Sequence, residues 1–144
     1  MYFIYTDGAC SGNDSSKQCP GGYGYVIFDP EHDVTIEGGG HIHGTTNNCM
    51  ELTAVIAGLT KLNQYLTKNN KEPVTSECTI ITDSKYVCDN WNDYFEIWKA
   101  NGWKKSNGSP VLNVDLWKKM GEKASEFKSV VFKWVKGHAN NEHN

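Results

Sequence analysis

The chain changes its hydrophobic rhythm several times, and each change marks an element. Residues 2–6 (YFIYT) are aromatic and β-branched and read as a strand that stops at Asp7. The stretch 11–22 (SGNDSSKQCPGG) gathers Gly, Asn, Asp, Ser and Pro and reads as a loop. YGYVIFD (23–29) predicts a second strand, and VTIEGGGHIHG (34–44) a third, whose glycines suggest a bulge or close packing. Short links make these three an antiparallel meander. Leu52, Val55, Leu59, Leu62 and Leu66 then recur at alternating steps of three and four, the stripe of an amphipathic helix, which KNNKEP closes. CTIIT (78–82) is a short, nearly continuous apolar run and predicts a strand buried on both faces. A short helix from Ser84 to about Trp91 follows, then a segment mixing aromatics and lysines. VDLWKKMGEKASEF predicts another helix capped by Asn113, and VVFKWV (130–135) the last strand.

The resulting order, three strands, a helix, a strand, short helices and a final strand, predicts a mixed α/β domain around one sheet over residues 1–144. A helical crossover lets the first and fourth strands lie parallel. Parallel neighbours lie about 4.8 Å apart and end at the same edge of the sheet. Asp7, in YTDG, and Asp83, in ITDS, each follow an apolar run. On adjacent strands they place two carboxylates side by side at the carboxyl edge, where open α/β sheets bind ligands. Such carboxylates repel, and a hard divalent cation relieves the conflict. An Asp after a strand is also a common turn former or helix cap. Glu51, in TTNNCMEL, has two readings as well: the partner of Asn48 in a capping box, or a third carboxylate brought to the same edge. His138, in WVKGHANN, follows the last strand in a Gly- and Asn-rich loop, where a group titrating near neutrality suits proton transfer.

Composition narrows the class. The chain has 144 residues, 38% hydrophobic and 12% aromatic, enough for one buried core. No apolar run is long enough for a bilayer, and the start does not read as a signal peptide, so a cytoplasmic protein is expected. Five cysteines without a CxxC pair argue against a disulfide framework or zinc site, and reduced thiols are expected. The formal net charge is -3, yet four lysines face ten acids over residues 1–83 while ten face seven over 84–144. That division suits metal ions at one place and phosphates at another.

Taken in order, YTDGACSGN with GGYGYVIFD, TTNNCMEL, TDSKYV, WKANGWKKSNGSPVLNVDLW and WVKGHA resemble type 1 ribonuclease H of the bacterial kind with a basic protrusion. The resemblance covers essentially the whole chain. It implies a five-stranded mixed sheet, three antiparallel strands then two parallel, flanked by helices. It also implies a monomeric endonuclease that hydrolyses the RNA strand of RNA/DNA hybrids with two Mg²⁺ ions, or Mn²⁺ in their place, and leaves 5′-phosphate ends. Asp7, Glu51 and Asp83 match metal-binding carboxylates, and His138 the loop histidine. Gly8, Ala9, Cys10, Asn13, Asn47, Asn48 and Lys85 match positions near the hybrid. Trp98, Lys99, Trp103, Lys104 and Lys105 fall in the protrusion that holds the DNA strand. There are three departures: a longer loop at 14–19, Ala100 and Asn101 in place of basic residues, and a fourth carboxylate that would lie past Asn144, with the terminal helix that carries it. The chain is expected to continue beyond Asn144 and supply that acid. A chain without it would be a weakly active or non-catalytic hybrid-binding module.

Overall fold

The computed structural model describes residues 1–10 and 20–136, and its organising element is strand β1 (Tyr2–Cys10). Strand β2 (Gly21–Asp29) pairs antiparallel with β1 on one side, and β3 (Val34–Ile42) pairs antiparallel with β2. On its other side β1 pairs parallel with β4 (Glu77–Thr82), which pairs parallel with β5 (Ser129–Trp134). The sheet is five-stranded, in the order β3-β2-β1-β4-β5. This is the predicted mixed sheet. Strand β4 departs in one respect: Cys78, Ile80 and Thr82 are buried, whereas Glu77, Thr79 and Ile81 are only partly covered. An apolar run predicts burial on both faces, but the helices described here cover one.

Helix α1 (Asn47–Lys68) supplies most of that cover. All five residues of its predicted stripe, Leu52, Val55, Leu59, Leu62 and Leu66, are fully buried, each stabilising by about 1.5–3 kcal/mol over an exposed position. Gly58 lets the helix come down on the sheet: a Cβ there would stand 2.8 Å from Ile4 Cγ2. The helix is held at its far end by the turn after β2. Buried Asp29 accepts from the Tyr65 hydroxyl (2.7 Å) and from the amides of Glu31 and His32, and lies 2.8 Å from His32 Nδ1. These contacts outweigh burial and hold the Asp29 carboxyl below its ordinary range. A 3-10 turn (Pro73–Thr75) leads into β4.

Beyond β4, helices α2 (Lys85–Asp93), α3 (Phe95–Ala100) and α4 (Val114–Ala124) surround an aromatic cluster. Trp91 stacks on Phe95 at 4.4 Å and reaches Phe132 of β5 at 4.9 Å, while Trp98 meets fully buried Trp117 edge-on at 5.8 Å. Helix α4 stops at Ala124, short of the predicted Phe127. Asn113 stands at its N-cap position in a left-handed conformation (φ 60), but its side chain makes no cap bond. Instead its Oδ1 accepts from Cys49 Sγ (3.3 Å) in α1, and its Nδ2 donates to the Tyr86 hydroxyl (3.0 Å) in α2. Cys49, Cys78 and Cys88 are free thiols, as expected. Cys10 is disulfide-bonded, against the expectation of reduced thiols throughout. A count of five without CxxC excludes a framework of bridges but not one bridge.

The Tyr86 hydroxyl also accepts from Trp117 Nε1 (3.2 Å), so one oxygen serves donors from two positions of the α4 region. Tyr86→Phe leaves both without that acceptor, at a cost of about 1–3 kcal/mol. Thermal melts should record a midpoint lower by roughly 2–4 °C for each kcal/mol lost. An unchanged midpoint would mean that solvent replaces the hydroxyl.

Candidate active site

The parallel ladder between β1 and β4 runs from Tyr2↔Cys78 to Thr6↔Thr82 and then ends. Asp7 and Asp83 are the next residue of each chain segment. Their equivalence is therefore a matter of register. Asp7 is not at the end of its strand, as the sequence suggests, because β1 continues against β2 through Asp7↔Gly24 to Cys10↔Gly21. It stands where β1 loses its parallel neighbour, leaving that flank open.

The turn carrying Asp83 is held on several sides. The Ser84 amide donates to Thr82 Oγ1 (3.0 Å), and Ser84 Oγ accepts from the Val87 amide (3.1 Å). Ser84 is thus the cap of α2, and the alternative of Asp83 as the cap does not hold. From the end of β5 and the residue after it, Trp134 Nε1 donates to the Asp83 carbonyl (3.1 Å) and the Val135 amide to the Thr82 carbonyl (2.9 Å).

Glu51 arrives from α1. The helix is capped by Thr46, whose Oγ1 accepts from the Cys49 amide (3.2 Å), not by Asn48. This earlier start takes Glu51 out of a capping box and leaves its carboxylate to the site. The helix start rests directly on β1 at Gly8, where a Cβ would stand 2.7 Å from the Glu51 amide nitrogen and collide with the Met50 carbonyl. Only glycine allows that approach. Carboxylate oxygens of Asp7, Glu51 and Asp83 consequently lie within 4.8 Å of one another.

The electrostatics follow from this crowding. Burial, with Asp83 and Asp7 alongside, pushes the Glu51 carboxyl up to about 8, against the opposing pull of the Gly8 amide hydrogen bond. Glu51 Oε1 is buried and has no hydrogen-bond partner among the described residues. Three converging carboxylates with one orphaned oxygen fit a hard divalent cation, which takes oxygen ligands and neutralises mutual repulsion. A second group, Asp29, Glu31 and His32, is also close enough to chelate. Its buried member is occupied by Tyr65 and His32 as the latch described above.

The remaining candidates fall into three sets. Gly8, Ala9 and Cys10 form the end of β1, beside Asn47 and Asn48 in the first turn of α1. Asn47 Oδ1 accepts from the Cys10 amide and joins the two. Lys85 is exposed at the start of α2, its ammonium 5.2 Å from the Trp134 ring centroid. Lys99, Lys104 and Lys105 are exposed, whereas Trp98 and Trp103 are half-buried in the aromatic cluster, Trp103 edge-on to Phe95 at 5.4 Å. Asn13 and His138 lie outside the described residues. The sequence reading passed over Trp134 and Tyr86, although WVKGHA and TDSKYV contain both.

Comparison with known proteins finds relatives in both sequence and fold. The family model for RNase H matches residues 1–144. A ribonuclease H of Hyphomonas neptunium is 42% identical over 144 residues, spanning 100% of this chain and 85% of that protein. Among solved structures, the N-terminal RNase H domain of a Mycobacterium tuberculosis protein, solved as a maltose-binding-protein fusion, superposes with a TM-score of 0.68 at 26% identity, covering 96% of this chain and 89% of that one. LC11-RNase H1 in complex with an RNA/DNA hybrid shares the fold, with a TM-score of 0.72 at 24% identity over 99% and 90% of the two chains.

The raised Glu51 carboxyl makes stability and metal binding pH-dependent. Its folded value of about 8 lies above its ordinary 4.5, so its contribution is intact below pH 4.5 and is lost as pH climbs to about 8. In the presence of chelator, Glu51→Gln should remove this decline and melt higher than the parent at pH 8. Divalent-ion binding at pH 7 should release close to one proton, read by calorimetry in buffers of different ionisation enthalpy. No proton release, or a parallel pH decline in Glu51→Gln, would count against the assignment.

Proposed function

The chain belongs to the RNase H family, and from that membership we propose that it is an endonuclease hydrolysing the RNA strand of RNA/DNA hybrids, with Asp7, Glu51 and Asp83 holding Mg²⁺. The observation that carries the reading is the convergence of the three carboxylates within 4.8 Å, with Glu51 Oε1 buried and without a partner among the described residues. The whole of 1–144 is read as one such domain, acting as a cytoplasmic monomer; among the described residues no helix is long and apolar enough to cross a membrane.

When bound, Mg²⁺ supplies a polarised water and charge neutralisation at the scissile phosphate. The protein's part is placement. Asp7 and Asp83 are fixed by the β1/β4 register, and Glu51 by the contact of α1 with Gly8. Glu51 gives up its proton as the site fills, at the pH where its carboxyl is poised. Asn47, Asn48 and the backbone of Gly8 to Cys10 form one ledge joined by the Asn47–Cys10 hydrogen bond. Neutral donors and acceptors there suit the 2′-hydroxyls that distinguish RNA in a wide minor groove. Asn13 and His138 are assigned by resemblance, His138 to proton transfer. Lys85, Lys99, Lys104 and Lys105 are exposed cations for phosphates, while Trp98 and Trp103 form the packed base of the lysine-bearing segment.

A labelled hybrid, incubated with the protein and Mg²⁺, should yield RNA fragments with 5′-phosphate ends, and chelator should abolish them. Asp83→Asn should lower the rate by about a hundredfold or more, since metal charge stabilisation amounts to several kcal/mol and each 1.36 kcal/mol is a factor of ten. Its midpoint without metal should hold or rise, because one of the mutually repelling charges is gone. A variant that cleaves normally but melts early would make Asp83 a structural residue. Binding without cleavage in the parent would favour a hybrid-binding module.

Replacing Lys99, Lys104 and Lys105 together by Ala should flatten the dependence of log affinity on log salt, by roughly one unit per lysine that neutralises a phosphate. An unchanged slope would mean that the hybrid does not rest on this segment.

A further inference from the structure

Trp134 makes two contacts that packing does not demand. Phe132, two residues earlier on the same face of β5, is buried against Trp91. Trp134 extends past the cover of the helices and is 40% exposed. Its indole N–H donates to the Asp83 carbonyl (3.1 Å), and the Lys85 ammonium lies 5.2 Å from its ring centroid. A single side chain therefore touches the backbone of a carboxylate residue through its edge and a neighbouring cation through its face.

We infer that Trp134 is a positioning residue for the site, an inference that rests on the reading of Asp83 as a metal ligand. It sets the Asp83 turn through its N–H and holds Lys85 over its ring. Thr82, before the turn, is fixed by the Val135 amide (2.9 Å), and Ser84, after it, by its own cap bonds. The Asp83 peptide between them receives its donor from Trp134. Small errors of placement are costly in a site whose catalysis is placement. The side chain is suited to both tasks: tryptophan is the strongest aromatic partner for a cation, and its donor lies on the ring edge. Phenylalanine keeps a face and loses the donor; leucine loses both. The two contacts can therefore be separated.

The test uses the full chain with Trp134→Phe, Trp134→Leu and Asp83→Asn. Hybrid-cleavage kinetics at saturating Mg²⁺, Mn²⁺ affinity without nucleic acid by electron paramagnetic resonance, and thermal melts are measured on each. Trp134→Phe should lower kcat about fivefold and weaken Mn²⁺ binding by a similar factor, the worth of one hydrogen bond, with KM unchanged and the midpoint near that of the parent. Trp134→Leu should in addition raise KM by about threefold, as Lys85 loses its platform. Parental kcat and Mn²⁺ affinity in Trp134→Phe, beside a collapse of both in Asp83→Asn, would overturn the positioning role and leave the functional reading intact. A fall in kcat that only tracks a fall in folded protein, with parental Mn²⁺ affinity, would also overturn it. Parental Mn²⁺ affinity in Asp83→Asn would overturn the metal-ligand reading and this inference with it.

Discussion

The site depends on one register. Because β1 and β4 run parallel with Thr6 opposite Thr82, the next residue on each, Asp7 and Asp83, leaves the ladder at the same level. A one-residue slip would turn one carboxylate to the other face of the sheet. The burial of Ile4 beside Ile80 under α1 prevents that slip, since a shift would expose a fully buried side chain. The chemistry of the edge is thus fixed by the packing of the core. The same helix that enforces the register brings Glu51, so a single docking event assembles all three carboxylates.

That assembly works against itself electrostatically. Three acids within 4.8 Å, one pushed up to about 8, are a poor arrangement for a folded protein without a cation. The surroundings resist relaxation. Gly8 admits no retreat of α1 without loss of its contact, and the Asp83 turn is held by Thr82, Ser84, Val135 and Trp134. Functional sites commonly hold strain that the rest of the fold over-determines. Here the over-determination comes from hydrogen bonds between side chains and the backbone of the turn, and from a glycine contact.

Much of this was legible in the sequence, and the misses have physical causes. The stripe from Leu52 to Leu66 identifies α1, because period is a property of the chain alone. The paired Thr-Asp endings locate the edge, because a helical crossover lets β1 and β4 lie parallel. The cap of α1 is Thr46; Thr46 and Asn48 are both good capping residues, and local chemistry does not choose between them. The contact with Gly8 favours a helix that begins at Asn47, and that contact joins residues far apart in the chain. The same limit hides Trp134. Nothing around it in WVKGHA indicates Asp83; β5 must first lie beside β4. The extent of β1 was underestimated because Asp7 and Gly8 read as a stop, whereas β2 supplies a partner as far as Cys10.

The aromatic residues divide by the same logic. Trp98 and Trp103 are named by sequence as hybrid contacts, yet both take part in the cluster around Phe95 and Trp117. Their rings are partly engaged before any ligand arrives. The segment between α3 and α4 is thereby anchored at its base, with Trp103 and Gly102 in left-handed conformations (φ 68 and 71) that turn the chain outward. Lys104 and Lys105 follow that turn directly, and the Lys105 amide donates to the Ser109 carbonyl (2.8 Å), closing the segment beyond it. A flexible loop of lysines would lose side-chain and backbone entropy on meeting a phosphate backbone. A loop already folded on an aromatic base loses less.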